Sequence, residues 1–345
     1  MKRIPLIRVA SIVSTRDFLR RSGANVDEIL RTAQLPPAVF DDPELLLPYP
    51  VVARFLDHAG RLDGNETLGA RAGHATPLEA LGVFGRRVAS AATLGDALAT
   101  AAHVAPAYYS GESFWLTEIG TDVRLSHRFP ARFEDRYQQA EQLSLCTVLR
   151  FLKSIVAPGW RPLIHLKNGM PGAMADLPML RGSAIVLDQP TWAITFPRSL
   201  LRRQLSAPTA APPRPAELDR WKASAPGRNV TGAVMQVIRT AMIGGDADMR
   251  VVAAWIGTST RTLQRRLEES GARYAQLLAT ARFAAATRLF DDGTATLQDI
   301  SRKLGYSDPA HFTRAFRRWA GCPPRMFREF RMQEAPAPLT ANARR

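Results

Sequence analysis

The sequence predicts an α+β N-terminal domain at residues 1–205 followed by an all-α C-terminal domain. Its 345 residues suffice for two cores, because a single domain usually runs to about 100–200 residues. The stretch SAPTAAPPRP at 206–215 is rich in proline, which favours an extended linker, and we assign 206–227 to it. Patterns before this linker mix helices with strands, whereas those after it are helical only, up to an expected disordered tail at 332–345.

Helical spacing of apolar residues marks three stretches of the N-terminal domain. Each repeats its apolar side chains every three or four positions, which places them on one face of a helix. The predicted helices are 15–32, 94–104 and 134–156.

Alternating apolar and polar residues predict four strands in the same domain. The runs 113–119 and 123–129 are separated by a turn that starts at Gly120, which indicates a hairpin. The runs 184–187 and 192–196 are separated by Asp-Gln-Pro and predict a second hairpin. Because these strands occur together with helices, the domain is expected to be α+β.

Residues 249–267, MRVVAAWIGTSTRTLQRRL, have the pattern of a helix-turn-helix. Gly257 ends the first helix, because a residue without a Cβ readily adopts the left-handed turn. Ser259 is suited to cap the second helix, in which Leu263 and Leu267 lie four apart on one face. The opposite face carries Arg and Gln, the side chains that read guanine and adenine edges in the major groove.

The same pattern returns about 48 residues later at 297–319, LQDISRKLGYSDPAHFTRAFRRW. Gly305 stands at the turn, and Asp308 followed by Pro309 begins the second helix. Aromatic residues at 312, 316 and 319 fall on the core face of that helix. A continuous helix over 274–290 joins the two units and would fix their relative placement.

With these two units, residues 228–331 resemble the DNA-binding domain of the AraC/XylS family of bacterial regulators. The resemblance rests on STRTLQRRL in the first unit, on DISRKLGYSDPAHFTRAFRRWAG at 299–321 and on the closing CPPRMFR. Pro323 replaces a serine, and Phe327 replaces a tyrosine, that are usual in the family. Neither change alters the expectation of DNA binding.

The resemblance implies that the helices starting near Ser259 and Asp308 enter two successive major grooves, which lie about 34 Å apart. It implies contacts to bases or backbone for eight residues. These are Thr260, Arg261, Gln264, Arg265, Pro309, Ala310, Thr313 and Arg314. Double-stranded DNA at a promoter or operator is therefore the expected partner, and RNA polymerase would be a further partner of an activator.

The N-terminal domain is similar to the arabinose-binding-like sensor domain of one branch of the family. The matching stretches are 77–106 and 184–205. This resemblance implies that the domain binds a small effector, whose identity the sequence leaves open, and that it forms a homodimer.

Four side chains of this domain are candidate effector contacts: Tyr108, Tyr109, Trp115 and His127. Strand alternation places His127 on the same face as apolar residues, so we expect its ring to be buried. A core histidine bonded to a neighbouring side chain is the alternative to effector contact for this residue.

The composition agrees with a DNA-binding protein of the cytoplasm. The formal net charge of +15 favours a polyanionic partner. Cys146 and Cys322 lack the paired spacing of a zinc site or a disulfide framework, so neither a metal nor a cofactor is expected. The sequence shows neither a signal peptide nor an apolar span of the roughly 18 residues that cross a membrane, and no membrane association is expected.

We expect a transcription regulator, by family habit an activator, rather than an enzyme. A glycine-rich phosphate loop, a Gly-x-Ser-x-Gly elbow and a His-Glu-x-x-His motif do not occur in the sequence. Two other classes stay open. One is a constitutive or architectural DNA-binding protein whose N-terminal domain only dimerises, and the other is an enzyme fused to an AraC-type module.

Overall fold

The computed structural model describes residues 3–334 except 63, 65, 131–137, 157–158, 168–171 and 292–294. The chain divides into two compact units, Met1–Val237 with Trp255–Gly257 and Ile238–Ala254 with Thr258–Arg345. Among the described residues, every strand lies in the first unit, and the second unit is built from helices. The predicted fold class, α+β followed by all-α, is confirmed.

A two-stranded antiparallel sheet and six helices open the first unit. They are β1 Leu6–Arg8, α1 Ala10–Arg21, α2 Val26–Ala33, β2 Leu46–Pro48, α3 Tyr49–Leu62, α4 Leu68–Ala75, α5 Gly82–Ala89 and α6 Leu94–Tyr108. The single helix predicted over 15–32 is wrong. The chain turns after α1, because Gly23 takes a left-handed φ of 81° and Asn25 caps α2 by accepting a hydrogen bond from the Glu28 amide.

A five-stranded sheet forms the other layer of the first unit. Its strands are β3 Ser113–Ile119, β4 Asp122–Arg128, β5 Leu163–Lys167, β6 Ala184–Gln189 and β7 Ala193–Pro197, in the spatial order β3-β4-β7-β5-β6. The first predicted hairpin is confirmed, with Gly120 at a φ of 60° in the turn between β3 and β4.

The second predicted hairpin is wrong, although both of its strands exist. Strand β5 lies between β6 and β7, parallel to the former and antiparallel to the latter. Inserting β5 gives its backbone groups partners on both sides and buries Ile164 and Leu166. These gains outweigh the local preference of the Asp-Gln-Pro turn.

Helix α7, Gln138–Ile155, covers the sheet and packs closely on α4. A Cβ added at Gly69 would lie 2.0 Å from the carbonyl oxygen of Gln139, and one added at Gly73 would lie 2.4 Å from that of Leu143. Only glycine therefore allows these two backbones to approach. Residues 134–137, predicted as the start of this helix, lie outside the described residues.

The helices that follow the sheet begin inside the expected linker. They are α8 Pro215–Ala223, α9 Val230–Ile243, α10 Met249–Ile256, α11 Thr260–Glu268, α12 Tyr274–Asp291, α13 Leu297–Lys303, α14 Pro309–Ala320 and α15 Pro324–Glu334. Helix α12 corresponds to the predicted joining helix. The expected tail, apart from the last turn of α15, falls on 335–345 and lies outside the described residues.

Aromatic rings hold α12, α14 and α15 together. The ring of Phe316 is buried, with centroids 5.5 Å from Phe283 on α12 and 5.3 Å from Phe327 on α15. Phe312 is buried as well, whereas Trp319 is half-buried at the edge of the cluster. This core orients the polar face of α14 toward solvent.

Candidate nucleic-acid interface and interior cavity

The first helix-turn-helix consists of α10 and α11 with Gly257 at a φ of 74° between them. The hydroxyl of Ser259 caps α11 by accepting a hydrogen bond from the Thr262 amide at 3.2 Å. Leu263 and Leu267 are buried, which turns the opposite face of α11 outward. On that face the candidate contacts Arg261, Gln264 and Arg265 are exposed, and Thr260 is half-buried.

The second helix-turn-helix consists of α13 and α14 with Gly305 at a φ of 78°. The carboxylate of Asp308 caps α14 by accepting a hydrogen bond from the Ala310 amide at 2.8 Å. Pro309 occupies the first helical position, where the missing N–H costs nothing. The candidate contacts on α14 are all exposed: Pro309, Ala310, Thr313 and Arg314.

Carboxylates one turn away hold two of the polar side chains on α11. The Gln264 amide donates to Glu268 Oε1 at 3.0 Å, and Arg265 Nη1 lies 3.2 Å from Glu269 Oε1. An exposed pair of this kind contributes only about 0.3–0.5 kcal/mol. A phosphate or a base edge can therefore replace the carboxylate at little cost.

The first unit contains a cavity of about 1100 Å³, large enough for a small organic ligand. Its walls come from α3, α5, α6 and α7, from the start of β3 and from residues 222 and 225–228. Most lining side chains are apolar, and eight are aromatic: Tyr49, Phe84, Tyr108, Tyr109, Phe114, Trp115, Phe129 and Phe151.

Three of the four candidate effector contacts line this cavity, namely Tyr108, Tyr109 and Trp115. Tyr108 is buried, and its hydroxyl has no hydrogen-bond partner within the described part of the chain. His127 does not line the cavity itself. Its buried ring packs against the ring of Phe114, which lines the cavity, with 4.1 Å between the centroids.

Glu112, which the sequence reasoning missed, is the buried carboxylate of the cavity wall. Its side chain is 5% exposed and lies between two donors, because Tyr49 donates its hydroxyl to Oε1 and the Nε2 atom of His127 lies 2.9 Å from Oε2. Burial, as the largest cause, and the nearby negative charge of Glu112, as the second, raise the pKa of Tyr49 well above its usual range. The hydroxyl therefore keeps its proton and remains a donor. No local sequence signal distinguishes this glutamate from a surface residue before a strand.

Arg8 is a second buried charge that the sequence reasoning missed. It donates to the carbonyl oxygens of Ala107 at 2.9 Å and of Trp221 at 2.8 Å, and its Nε lies 3.5 Å from Glu44 Oε2. The Trp221 indole donates to the same Glu44 carboxylate at 2.7 Å. Helix α8, which carries Trp221, is thereby fixed against α6 and β1.

Burial disfavours both charges of this ion pair. It lowers the pKa of Arg8 to about 10, against the opposing effect of Glu44, and it raises the pKa of Glu44. A second ion pair joins Glu217 of α8 to Arg86 of α5. Since buried ion pairs contribute little net stability, we ascribe to the Arg8 pair a role in positioning α8.

Neither a metal centre nor a membrane helix occurs in the described ranges. Within them, no three His, Cys, Asp or Glu side chains are placed to hold a metal ion together. None of the helices there combines the length and the apolarity needed to span a membrane.

Two family profiles match the chain. Residues 23–205, more than half of it, match the arabinose-binding domain of AraC transcription regulators, and residues 252–329 match a helix-turn-helix domain. The chain is 26% identical over 339 residues to the ornithine utilization regulator of Pseudomonas aeruginosa, a match that covers 94% of this chain and 96% of the relative.

Two further comparisons extend along the chain. It is 24% identical over 332 residues to the HTH-type transcriptional regulator VirS of Mycobacterium tuberculosis, with 94% of this chain and 97% of the relative covered. The crystal structure of the transcriptional regulator CdpR of Pseudomonas aeruginosa matches with a TM-score of 0.39 and 18% identity, over 88% of this chain and 96% of that one.

Proposed function

The chain belongs to the AraC family of transcription regulators, and we propose that it activates transcription in response to a small molecule bound in its cavity. It carries an AraC-type helix-turn-helix DNA-binding domain after an arabinose-binding-like domain. The relatives that match over most of the chain are transcription regulators, and this favours a role in regulation over one in catalysis. Because its proposed partner is chromosomal DNA, we expect the protein in the cytoplasm.

The exposed faces of α11 and α14 carry the proposal for DNA binding. Arg261, Gln264 and Arg265 project from the first two turns of a capped helix, and Arg314 projects from the equivalent part of the second. Residues near the start of a recognition helix are those that reach base edges in the major groove, and Arg and Gln can bind guanine and adenine with two hydrogen bonds each.

The part of the chain that lines the cavity supports control of DNA binding by an effector. Residues 222 and 225–228 line the cavity, and α9 begins only two residues later at Val230. A ligand in the cavity would contact the segment that leads into the proposed DNA-binding domain at 228–331. If the ligand binds one conformation of this segment more tightly, it shifts the population toward that conformation and changes DNA affinity by linkage.

The outer strand of the sheet supports a homodimer. Strand β3 pairs only with β4 in the described part of the chain, and three of its apolar side chains are exposed: Trp115 by 37%, Leu116 by 43% and Ile119 by 40%. Unpaired edges with apolar side chains associate readily with a second chain. A two-fold dimer would bind paired half-sites, and activation would require contact with RNA polymerase.

Selection of binding sites from a random DNA pool by the purified full-length chain tests the DNA-binding part of the proposal. We expect enrichment of a motif with two elements about one helical turn, or 10–10.5 base pairs, apart. The double variant Arg265→Ala/Arg314→Ala should lose the enriched site. The charge-matched control Arg20→Ala/Arg21→Ala, which changes exposed residues of α1, should keep it.

Equal binding by the two double variants would refute the assignment of α11 and α14 as recognition helices. Failure to enrich any sequence would refute sequence-specific binding altogether. Loss of the motif only in the α11 and α14 variant, with both variants folded by circular dichroism, would support the proposal.

A further inference from the structure

We propose that the cavity of the first unit selects a ligand bearing an ammonium group, with Glu112 as the counter-ion and aromatic rings around it. The inference rests on the proposed function, in which an effector occupies this cavity, and it adds the chemical class of that effector. Its basis is the buried carboxylate of Glu112 in the cavity wall, which forms no ion pair with a Lys or Arg among the described residues.

The Glu112 carboxylate lies in the cavity wall. Glu112 lines the cavity, yet its side chain is only 5% exposed, so the carboxylate is held away from bulk water. Tyr49 and His127 supply one hydrogen bond to each of its oxygens. Each carboxylate oxygen accepts two hydrogen bonds, so acceptor capacity is left for a ligand donor.

The two hydrogen-bond partners of Glu112 do not neutralise its charge. The Nδ1 atom of His127 is buried without a hydrogen-bond partner in the described part of the chain. A protonated ring would carry a buried N–H there with no acceptor, which is costly, whereas the neutral ring leaves only a lone pair. Tyr49 is also neutral, and no Lys or Arg of the described ranges forms an ion pair with Glu112. Among the described residues, the Glu112 carboxylate therefore has no Lys or Arg as counter-ion.

Aromatic rings line the cavity near Glu112. The ring of Tyr109 lies 6.4 Å from Phe114 and 5.9 Å from Tyr108, and Tyr108 stacks on Phe84 at 4.5 Å. All four residues line the cavity. Aromatic faces attract cations, and groups of such rings are a known means of binding ammonium ligands. A buried carboxylate beside these rings thus offers an ammonium group both a counter-ion and a replacement for its hydration.

Basic residues also line the cavity, but their position makes them weaker determinants. Arg3, Lys222 and Arg228 are exposed, so water and salt screen their charges. Glu112 is screened much less because it is buried. An anionic ligand held by the exposed basic residues is therefore the opposite outcome of the test, and an ammonium ligand is the one that the structure favours.

Isothermal titration calorimetry of the full-length chain with three matched probe molecules tests the inference. The probes are 4-phenylbutylamine, 4-phenylbutanoate and 4-phenylbutan-1-ol, which share an apolar body and differ in the charge of the head group. The amine should bind at least about tenfold more tightly than the other two, the factor expected for one charge-assisted hydrogen bond in a buried site.

Two glutamate variants locate the effect. Glu112→Gln should weaken amine binding by about tenfold or more while changing the affinity for the alcohol little. Glu118→Gln is the matched control, because it removes the same charge from the same region at a side chain that is 71% exposed. It should leave all three affinities unchanged.

Tightest binding of the carboxylate or the alcohol would overturn the ammonium assignment, as would binding of none of the three probes or equal amine binding by Glu112→Gln. The ranking of probes on the unmodified chain stands even if Glu112→Gln does not fold. Failure of the DNA selection described above would refute the proposed function without altering this ranking, so the two failures are distinguishable.

Discussion

Replacing Arg8 by methionine removes the cation that attaches α8 to the rest of the first unit. Arg8 is fully buried, and its guanidinium donates to the carbonyl oxygens of Ala107, Glu44, Trp221 and Ser224. Methionine has a similar apolar stem but no donor. The variant therefore leaves four carbonyl oxygens without the Arg8 donor and the Glu44 carboxylate without its cation, although the Trp221 indole and the Val83 amide still donate to that carboxylate.

Removing one partner of a buried ion pair costs roughly 3–5 kcal/mol of unfolding free energy. The side chain of Glu44 is 27% exposed and gains some solvation from water, so we expect the lower end, about 3 kcal/mol. For a domain of this size that loss lowers the melting temperature by about 6–12 °C, and a loss at the upper end would lower it by up to about 20 °C.

The pKa directions predict what happens when both charges are removed. The pKa of Glu44 is higher in the folded state than in the unfolded state. Glu44 therefore stabilises the fold at pH values below its unfolded-state pKa, and this contribution is lost as the pH rises through the folded-state pKa. The pKa of Arg8 is lower in the folded state, at about 10, than in the unfolded state. Arg8 therefore stabilises the fold at pH values above its unfolded-state pKa, and this contribution is lost as the pH falls through about 10. Both charges are therefore unfavourable near pH 7. Arg8→Met/Glu44→Gln should lose less stability than the sum of the two single variants.

Differential scanning calorimetry of the full-length chain measures these effects, and limited proteolysis of 206–228 reports whether α8 is released. The control is Arg198→Met, because Arg198 forms an exposed ion pair with Glu118 and its removal should cost less than about 1 kcal/mol. If Arg8→Met melted within 2 °C of this control and resisted protease equally, the positioning role of Arg8 would be refuted.

Four further predictions follow from the same structure. Arg314→Ala should weaken binding to the selected DNA site by about 1–3 kcal/mol in fluorescence anisotropy, if the Arg314 side chain makes the base contact that we propose. The logarithm of the DNA affinity should fall steeply and linearly with the logarithm of salt concentration, because phosphate contacts release counterions. Gly69→Ala should cost about 1–3 kcal/mol in chemical denaturation, since its Cβ would lie 2.0 Å from a backbone oxygen. A maleimide should label Cys322 in the native protein but not Cys146, whose burial raises its pKa to about 12.

Each of these predictions has an outcome that contradicts it. A flat salt response would show that phosphate contacts contribute little, and unchanged affinity of Arg314→Ala would exclude a base contact there. Gly232→Ala is the control for Gly69, because its Cβ would lie 3.1 Å from the end of the Asn229 side chain and 3.6 Å from the Cα of Gly227, with no closer backbone atom. Equal losses would count against the close helix contact. Two labels per native chain would contradict the burial of Cys146.

Both helix-turn-helix units followed from the sequence because their determinants are local. Gly257 and Gly305 adopt the left-handed turn, and Ser259 and Asp308 cap the next helix, all within a few residues of the bonds they make. The buried face of His127 was predictable for the same reason, since strand alternation acts over two residues.

The sheet order and the cavity could not be derived in this way. Nothing in the Asp-Gln-Pro turn indicates that β5 separates β6 from β7. The hydrogen bond from Arg8 to Trp221 joins residues 213 positions apart, and the bond from Tyr49 to Glu112 joins residues 63 apart. Such pairs carry no periodic signal, because loop closure and packing select them only once the whole domain has formed.

The sequence by itself therefore determined the fold class, the two helix-turn-helix units and the outward side chains of α11 and α14, because caps, glycine turns and apolar spacing act over a single helical turn or strand. Only the tertiary structure decided which charges are buried, where α8 is attached and what lines the cavity. Burial of a charge depends on surfaces brought together from distant parts of the chain, and its free energy is set by the partners found there rather than by its neighbours in sequence.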